Sequence, residues 1–289
     1  MEVVPVIDLK GGIVVHARHG NRAAYRPIET PLSPTSDPLD VVAGLLSVHP
    51  FRTLYVADLD AIEGNGDAGA ILDSISATFP ELALWVDNGC AKLAAAQDFF
   101  ARFGPDIRGL TSPLRGGRSS PDAEQIANFG RGVRRKGPPA ETSGAPLAGF
   151  DLPSRGRLRP PPPTSLVLGS ESQRDRDLVC ALRDDPRVIL SLDFRDERFV
   201  GPDELLSEPE LWPERLIVMT LARVGSDAGP DFDRHAAIRE RAGGRAIYLA
   251  GGLRDRRDLA AVGASGAAGI LVASALHDGR ITAADLTPA

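Results

Sequence analysis

Short apolar runs alternate with Ala- and Leu-rich stretches eight times along this chain, and this alternation limits the fold more than any other feature. Near-continuous apolar runs of this length are typical of parallel strands that are buried on both faces. The predicted strands are Val3–Asp8, Thr53–Asp58, Leu84–Asp87, Leu166–Gly169, Val188–Asp193, Leu216–Thr220, Ala246–Ala250 and Gly269–Ala273. The predicted helices are Leu39–Val48, Ala68–Phe79, Ala91–Phe103, Arg174–Arg183, Phe232–Arg241 and Arg254–Val262. Eight successive strand–helix units predict an α/β fold, a (β/α)8 TIM barrel.

A doubly wound open sheet is the competing α/β architecture. That fold binds dinucleotides through a Gly-x-Gly-x-x-Gly turn directly after its first strand. The first predicted strand is followed here by Leu9-Lys10-Gly11-Gly12, which does not match that turn. The barrel is therefore the favoured prediction.

One segment, residues 104–164, differs in composition from the rest of the chain. It holds 11 proline and 10 glycine residues, so it cannot sustain long regular elements. It also holds 9 Arg and 1 Lys against 5 acidic residues. We interpret it as a disordered insertion between the third helix and the fourth strand, and residues 1–103 and 165–289 as a single barrel domain. The alternative is a basic arm that recruits an anionic partner.

The composition of the whole chain excludes several classes of protein. A net charge of −6 argues against general affinity for nucleic acid, whose phosphate backbone selects basic surfaces. A mean hydropathy of −0.10, without an apolar run of about 20 residues, argues against a membrane protein. The N-terminal residues resemble no secretion signal, so we expect a cytoplasmic location. Nothing in the sequence indicates a protein partner.

Carboxylates follow four of the predicted strands, at the face where TIM barrels carry their sites. Asp8, Asp58, Asp87 and Asp193 each end an apolar run, and Asp60 stands two residues beyond the second strand. A carboxylate in such a position is costly unless it is paired or used in chemistry. These residues are therefore candidate site residues.

The two halves of the chain repeat the same features in the same order, which predicts an internal half-barrel duplication. Asp8 ends the first strand and Asp193 ends the fifth. Small residues follow strands three, four, seven and eight, namely Gly89, Gly169, Ser170, Gly251, Gly252, Ala273 and Ser274. Their exposed backbone N–H groups, together with helix N-termini, predict two phosphate cradles. Two carboxylates between two cradles suit a general acid and a general base that act on a small phosphorylated, sugar-like substrate.

Five motifs, in this order, resemble the HisA/HisF family. They are Val6-Ile7-Asp8-Leu9-Lys10-Gly11-Gly12, Ala57-Asp58-Leu59-Asp60-Ala61, Leu190-Ser191-Leu192-Asp193, Thr220-Leu221-Ala222-Arg223 and Ala250-Gly251-Gly252. The resemblance implies an isomerase of histidine biosynthesis, which rearranges phosphoribosylformimino-aminoimidazole carboxamide ribotide from an aminoaldose to an aminoketose without metal or cofactor. It also implies that Asp8 is the general base, that Asp193 is the general acid opening the ribose ring, and that Thr220 is a polar assistant.

Two departures from the family pattern point to a different branch. His16 stands where the isomerase has Arg and the related cyclase has Lys, and Asp87 stands in a loop that is usually glycine-rich. The segment around His16 is more similar to a HisA/HisF-related branch of methanogens and methylotrophs. This alternative predicts an enzyme acting on another phosphorylated carbonyl compound in one-carbon carrier cofactor biosynthesis, of methanofuran or tetrahydromethanopterin. A non-catalytic barrel that binds a phosphorylated metabolite is a third hypothesis, against which the retention of Asp8 and Asp193 counts.

Several candidates also have a purely structural interpretation. Asp58 and Asp60 follow a strand, where an Asp often caps the next turn or pairs with Arg. Gly251-Gly252 is also consistent with a tight turn alone. His16 is a further candidate for the site, but no third ligand near it predicts a metal ion. Cys90 is interpreted as a packing residue, because the sequence places no His to activate it.

Overall fold

The computed structural model of the protein describes residues 1–17, 22–103, 164–226 and 228–287. The predicted insertion lies outside these ranges, apart from Thr164. Among the residues described, no helix is both long enough and apolar enough to cross a membrane.

Eight parallel strands close into a barrel. In chain order they are β1 (Glu2–Lys10), β2 (Thr53–Asp58), β3 (Ala83–Asp87), β4 (Ser165–Gly169), β5 (Val188–Arg195), β6 (Arg215–Thr220), β7 (Ala246–Ala250) and β8 (Gly269–Val272). Each strand pairs with the next, and β8 returns to pair with β1, with Val4 opposite Leu271. The prediction of a (β/α)8 TIM barrel is confirmed.

Helices connect the strands, and several of them begin at side-chain caps. They are α1 (Pro38–Val48), α2 (Leu59–Glu63), α3 (Gly69–Thr78), α4 (Leu93–Phe103), α5 (Asp177–Leu182), α6 (Asp203–Ser207), α7 (Phe232–Arg241), α8 (Arg256–Ala264), α9 (Ser274–His277) and α10 (Ala283–Leu286). The side chain of Asp37 accepts from two amides at the start of α1, and that of Asp255 does the same for α8. Such caps satisfy donors that the first helical turn leaves unpaired.

The first and fifth strands share a local structure beyond the barrel itself. Each continues into a short antiparallel strand, Ile13–His16 after β1 and Arg198–Val200 after β5. In both hairpins the strand-end aspartate lies opposite the valine seven positions later, Asp8 opposite Val15 and Asp193 opposite Val200. The backbone thus repeats around the two aspartates, as the sequence duplication predicts.

Side chains along each strand alternate between the barrel interior and the surrounding helices. The interior cluster includes Val4, Tyr55, Trp85, Val167, Ile189, Ile217, Tyr248 and Leu271. The residues between them, such as Leu54 and Leu168, pack into the larger cluster that includes the helices. Because side chains along a strand alternate with a period of two residues, a residue that stands an even number of positions after one of these interior residues also faces inward at the strand end.

Gly269 allows β8 to close the barrel between β7 and β1. A Cβ atom at this position would lie 2.4 Å from the carbonyl oxygen of Glu2 and 2.7 Å from the ring of Tyr248. Tyr248 is held by an edge-on contact with Trp85 at 4.8 Å between ring centroids. A methyl group at position 269 therefore meets backbone on one side and a fixed ring on the other.

Replacing Gly269 with alanine should destabilise the protein, because neither neighbour can move aside. We expect the free energy of unfolding to fall by about 1–3 kcal/mol, the usual cost of overpacking. Gly263→Ala is the matched control, since its Cβ would approach only the Met1 sulfur at 4.0 Å. That change lies in α8 and should stabilise by up to about 1 kcal/mol. Denaturant unfolding of both variants measures the difference, and equal midpoints would contradict this account of closure.

Candidate active site

An open cavity lies at the carboxyl ends of the barrel strands, with a volume of about 1040 Å³ that includes its solvent-filled mouth. Both halves of the chain line it. Asp8 and Asp87 reach it from the first half, and Asp193 and Met219 from the second. The position agrees with the face that carries the site in barrels of this kind.

Asp193 is the most tightly held of these carboxylates. Its Oδ1 accepts a hydrogen bond of 2.6 Å from the Ser191 hydroxyl, and its Oδ2 accepts one of 3.1 Å from the Glu171 amide. Burial raises the pKa of Asp193 to about 7, because it outweighs the opposing effect of the Ser191 hydrogen bond. A carboxyl group with such a pKa exchanges protons readily near neutral pH.

Asp8 enters the cavity from the opposite half of the barrel. Its side chain is partly buried, and among the described residues it makes no hydrogen bond. Burial raises the pKa of Asp8 to about 7, and the Arg22 guanidinium limits the rise. Asp8 and Asp193 thus face one cavity, each with a pKa that burial raises to about 7.

Asp87 adds a third carboxylate to the cavity. The sequence places it beside a predicted phosphate loop, whereas in the structure it accepts hydrogen bonds from the chain itself. The Tyr55 hydroxyl donates to its Oδ2 at 3.2 Å, and the Gly89 amide donates to its Oδ1 at 3.1 Å. Burial raises the pKa of Asp87 to about 6. Burial also raises the pKa of Tyr55 well above its ordinary value, so the phenol remains a donor.

The residues of the phosphate cradle predicted after β3 and β4 contact the chain's own carboxylates. The Gly89 amide donates to Asp87, and a Cβ on Gly169 would lie 3.1 Å from Asp87 Oδ2 and 3.4 Å from Asp193 Oδ2. The Ser170 hydroxyl is fully buried between Asp193 and the carbonyl of Val200. None of these three residues lines the cavity, so the cradle at this end stays a prediction.

Arg22 and Glu171 form an ion pair at the cavity that sequence reasoning did not select. Arg22 belongs to a short turn after the first hairpin, and Glu171 to the turn directly after β4. The pair connects the loops of strands one and four. Glu171 directly follows the Gly169-Ser170 motif in the sequence. Its position next to these predicted site residues could have identified it as a further candidate.

Three predicted site residues face away from the cavity. Asp58 accepts hydrogen bonds from the amides of Ala61 and Ala68, so it caps α2. Asp60 accepts from the Gly11 amide at 2.7 Å and anchors the first hairpin. The Thr220 hydroxyl donates to Asp231, the residue that caps α7, at 3.2 Å. None of the three lines the cavity, which favours their structural interpretation.

The cradle predicted after β7 and β8 does lie at the cavity. Its four residues, Gly251, Gly252, Ala273 and Ser274, all line the wall. The two glycines have φ angles of 103° and 85°, in the left-handed region that favours glycine. A Cβ on Gly252 would lie 2.3 Å from the carbonyl oxygen of Gly229, so this turn also packs closely against the loop after β6.

His16 lies beside this second cradle. Its Nε2 is 3.3 Å from the Ser274 hydroxyl. Among the described residues, no group of three or more His, Cys, Asp or Glu side chains is placed to hold a metal ion. Cys90 is buried and Cys180 is exposed, and neither forms a disulfide. His16 therefore contacts the second cradle through Ser274 but does not itself line the cavity.

Comparisons with known proteins agree with this architecture. Residues 164–282 match the histidine biosynthesis protein family, a range that runs from the start of β4 past the end of β8. The chain is also 26% identical, over 282 residues, to the uncharacterized protein MJ0703 of Methanocaldococcus jannaschii, and the alignment covers 96% of this chain and 94% of that protein. The predicted resemblance to the HisA/HisF family is therefore confirmed, through the segment that builds strands β4 to β8.

Proposed function

We propose that this barrel is an isomerase of the aldose–ketose type, acting by general acid–base catalysis on a phosphorylated carbonyl compound. The observation that carries the proposal is the pair of Asp8 and Asp193. They stand at equivalent positions of two hairpins, face one cavity, and have pKa values raised to about 7. Perturbed carboxyl groups that converge in a cleft are typical of proton-transfer sites.

The two aspartates serve separate steps of an Amadori rearrangement. Asp193 in its protonated form donates to the ring oxygen, the bond from that oxygen to C1 breaks, and the nitrogen lone pair forms a protonated imine at C1. Asp8 in its ionised form then removes the proton from C2, which gives a neutral enolamine. Asp193, now ionised, accepts the proton of the C2 hydroxyl, and Asp8 returns its proton to C1, which completes the aminoketose and restores both groups.

The phosphate of the substrate belongs at the β7–β8 end of the cavity. At this end, Gly251 and Gly252 allow the backbone to come close to the ligand, and Ser274 is the first residue of helix α9. Arg280 also lines this wall, where its guanidinium is paired with Asp278 at 2.9 Å and remains a positive group at the cavity. Backbone amides together with a cation are the usual means of holding a phosphate.

The related branch of the family is the second candidate, and two observations favour it. The relative from Methanocaldococcus jannaschii aligns over nearly the whole of both chains, whereas the histidine biosynthesis match covers residues 164–282. Asp87 also ends β3, at the position where the resemblance implies a glycine-rich phosphate loop. In this form the proposal keeps the acid–base chemistry and changes the substrate to a carbonyl phosphate of one-carbon carrier cofactor synthesis.

Two assays test the proposal and separate the candidates. Turnover of the histidine-pathway aminoaldose, together with complementation of a strain that lacks the isomerase, supports the first candidate. Solvent deuterium exchange next to the carbonyl, followed by NMR over a panel of phosphorylated ketoses and aldoses, detects proton abstraction whatever the product. Exchange without aminoaldose turnover favours the related branch. Absence of both activities contradicts catalysis.

Asp8→Asn and Asp193→Asn should each lower turnover by about 10²–10⁴-fold, the usual contribution of a general acid or base. Ligand affinity should stay within a few-fold, because the shape of the side chain is kept. The double variant should be scarcely slower than the worse single variant, since turnover requires both steps. Additive losses would show that the two groups act independently.

The pH dependence of kcat/KM should be bell-shaped with a maximum near pH 7. Activity falls at lower pH because Asp8, whose pKa is raised to about 7, becomes protonated and cannot act as a base. Activity falls at higher pH because Asp193, also raised to about 7, loses the proton that it donates. Residual activity of Asp8→Asn should lack the acidic limb, and a profile that keeps both limbs would reassign the base.

The raised pKa of Asp87 also predicts that its ionised form lowers the stability of the folded protein. The folded-state pKa of Asp87 is raised to about 6, so protonation favours the folded state and stability declines as pH rises through that value. Asp87→Asn should therefore raise Tm by a few degrees at pH 8 and have little effect at pH 4. The Asn side chain can keep both contacts of Asp87, because the Tyr55 hydroxyl can rotate to accept from the amide nitrogen. Asp73→Asn, at an exposed residue paired with Arg102, is the control and should leave Tm nearly unchanged at both pH values. An unchanged or lowered Tm for Asp87→Asn at pH 8 would contradict the prediction that ionised Asp87 destabilises the folded protein.

A further inference from the structure

The two ends of the cavity differ in the state of their backbone amides. At the β3–β4 end, the Gly89 amide donates to Asp87 and the Glu171 amide donates to Asp193, each at 3.1 Å. Backbone donors at these positions are the groups with which a barrel of this kind would hold an anion. The protein's own carboxylates already occupy them.

The amides at the β7–β8 end are left for a ligand. Within the described parts of the chain, the N–H groups of Gly252, Ser274 and Ala275 donate to no protein acceptor. All three residues line the cavity, and Arg280 lines it beside them. This end of the cavity therefore has backbone donors available to an anion.

A phosphate placed at the β3–β4 end would meet several negative charges at close range. The backbone of Gly169 lies at this end. A Cβ on Gly169 would stand 3.1 Å from the Asp87 carboxylate and 3.4 Å from that of Asp193. Glu171 lines the same wall. Arg22 is the cation nearest to them, and it is already paired with Glu171. Like charges at this separation, partly shielded from water, repel strongly.

We propose that the substrate carries one phosphate, bound at the β7–β8 end, and presents hydrogen-bond donors instead of a second phosphate at the β3–β4 end. Hydroxyl or amine groups have this chemistry, and the carboxylates of Asp87, Asp193 and Glu171 are their acceptors. The inference rests on the proposed function, because it assumes a phosphorylated ligand in this cavity. It makes Asp87 a specificity-determining residue that excludes bisphosphates by charge. The inference therefore favours the second candidate function, because the histidine-pathway aminoaldose carries two phosphates.

Calorimetric titration at pH 8 tests the inference with two probes that share a carbon chain and a carbonyl group. Ribulose 5-phosphate carries one phosphate, and ribulose 1,5-bisphosphate carries two. The wild-type protein should bind the monophosphate at least tenfold more tightly. Asp87→Asn keeps the size of the side chain and removes its charge, so it should reduce that preference severalfold. Asp73→Asn, an exposed acidic residue of α3 paired with Arg102, is the matched control and should leave the preference unchanged.

The outcomes distinguish this inference from the function on which it rests. Equal affinity for the two probes, or tighter binding of the bisphosphate, overturns the inference and leaves the proposed phosphorylated ligand intact. An equal shift for Asp87→Asn and Asp73→Asn also overturns it, because a general change in charge would then explain the preference. Binding of neither probe overturns the proposed phosphate site, and the inference falls with it.

Discussion

Asp87 and Asp193 stand on either side of Gly169, and the chemistry of the cavity depends on their close approach. A glycine is needed there because a Cβ would crowd both carboxylates. Burial raises the pKa values of both groups toward neutrality, and the charge of Asp87 adds to the rise for Asp193. The hydrogen bonds from Ser191, Glu171 and Tyr55 keep the two groups in place.

The half-barrel duplication explains how one scaffold supports two different ends. The hairpins after β1 and β5 repeat the same register around Asp8 and Asp193, so these two aspartates have a symmetric placement. The loops after the remaining strands differ. Those after β7 and β8 have small residues with available amides, whereas those after β3 and β4 carry acidic side chains that accept from the corresponding amides. A symmetric barrel thereby presents two different ends of one cavity.

The sequence predicts the barrel because apolar runs report buried strands directly. It predicts Asp8 and Asp193 because they end equivalent strands of two repeated halves. In the structure both share the parity of interior residues, as Asp193 stands four positions after Ile189 and Asp8 four after Val4. Asp58 and Thr220 have the opposite parity, one position beyond an inward-facing residue, and their side chains contact helix caps. Applying the two-residue period to each strand end would have separated these groups from sequence alone.

Other features of the site could not be read from the sequence. The ion pair of Arg22 with Glu171 joins residues 149 positions apart, and no local pattern links them. The occupation of the Gly89 amide by Asp87 depends on a side-chain rotamer that composition does not specify. Both features arise from the closure of the barrel, which brings the loops of distant strands around one cavity.

The central claim is that aspartates of this cavity hold their protons close to neutral pH. Titration of the full-length protein with carbon-13-labelled aspartate, followed by carboxyl NMR and assigned with Asp8→Asn and Asp193→Asn, measures this directly. The account predicts that both resonances titrate with apparent pKa values near 7, as parts of a coupled set. Titration of both groups below about 5, in the range of ordinary aspartates, would contradict it.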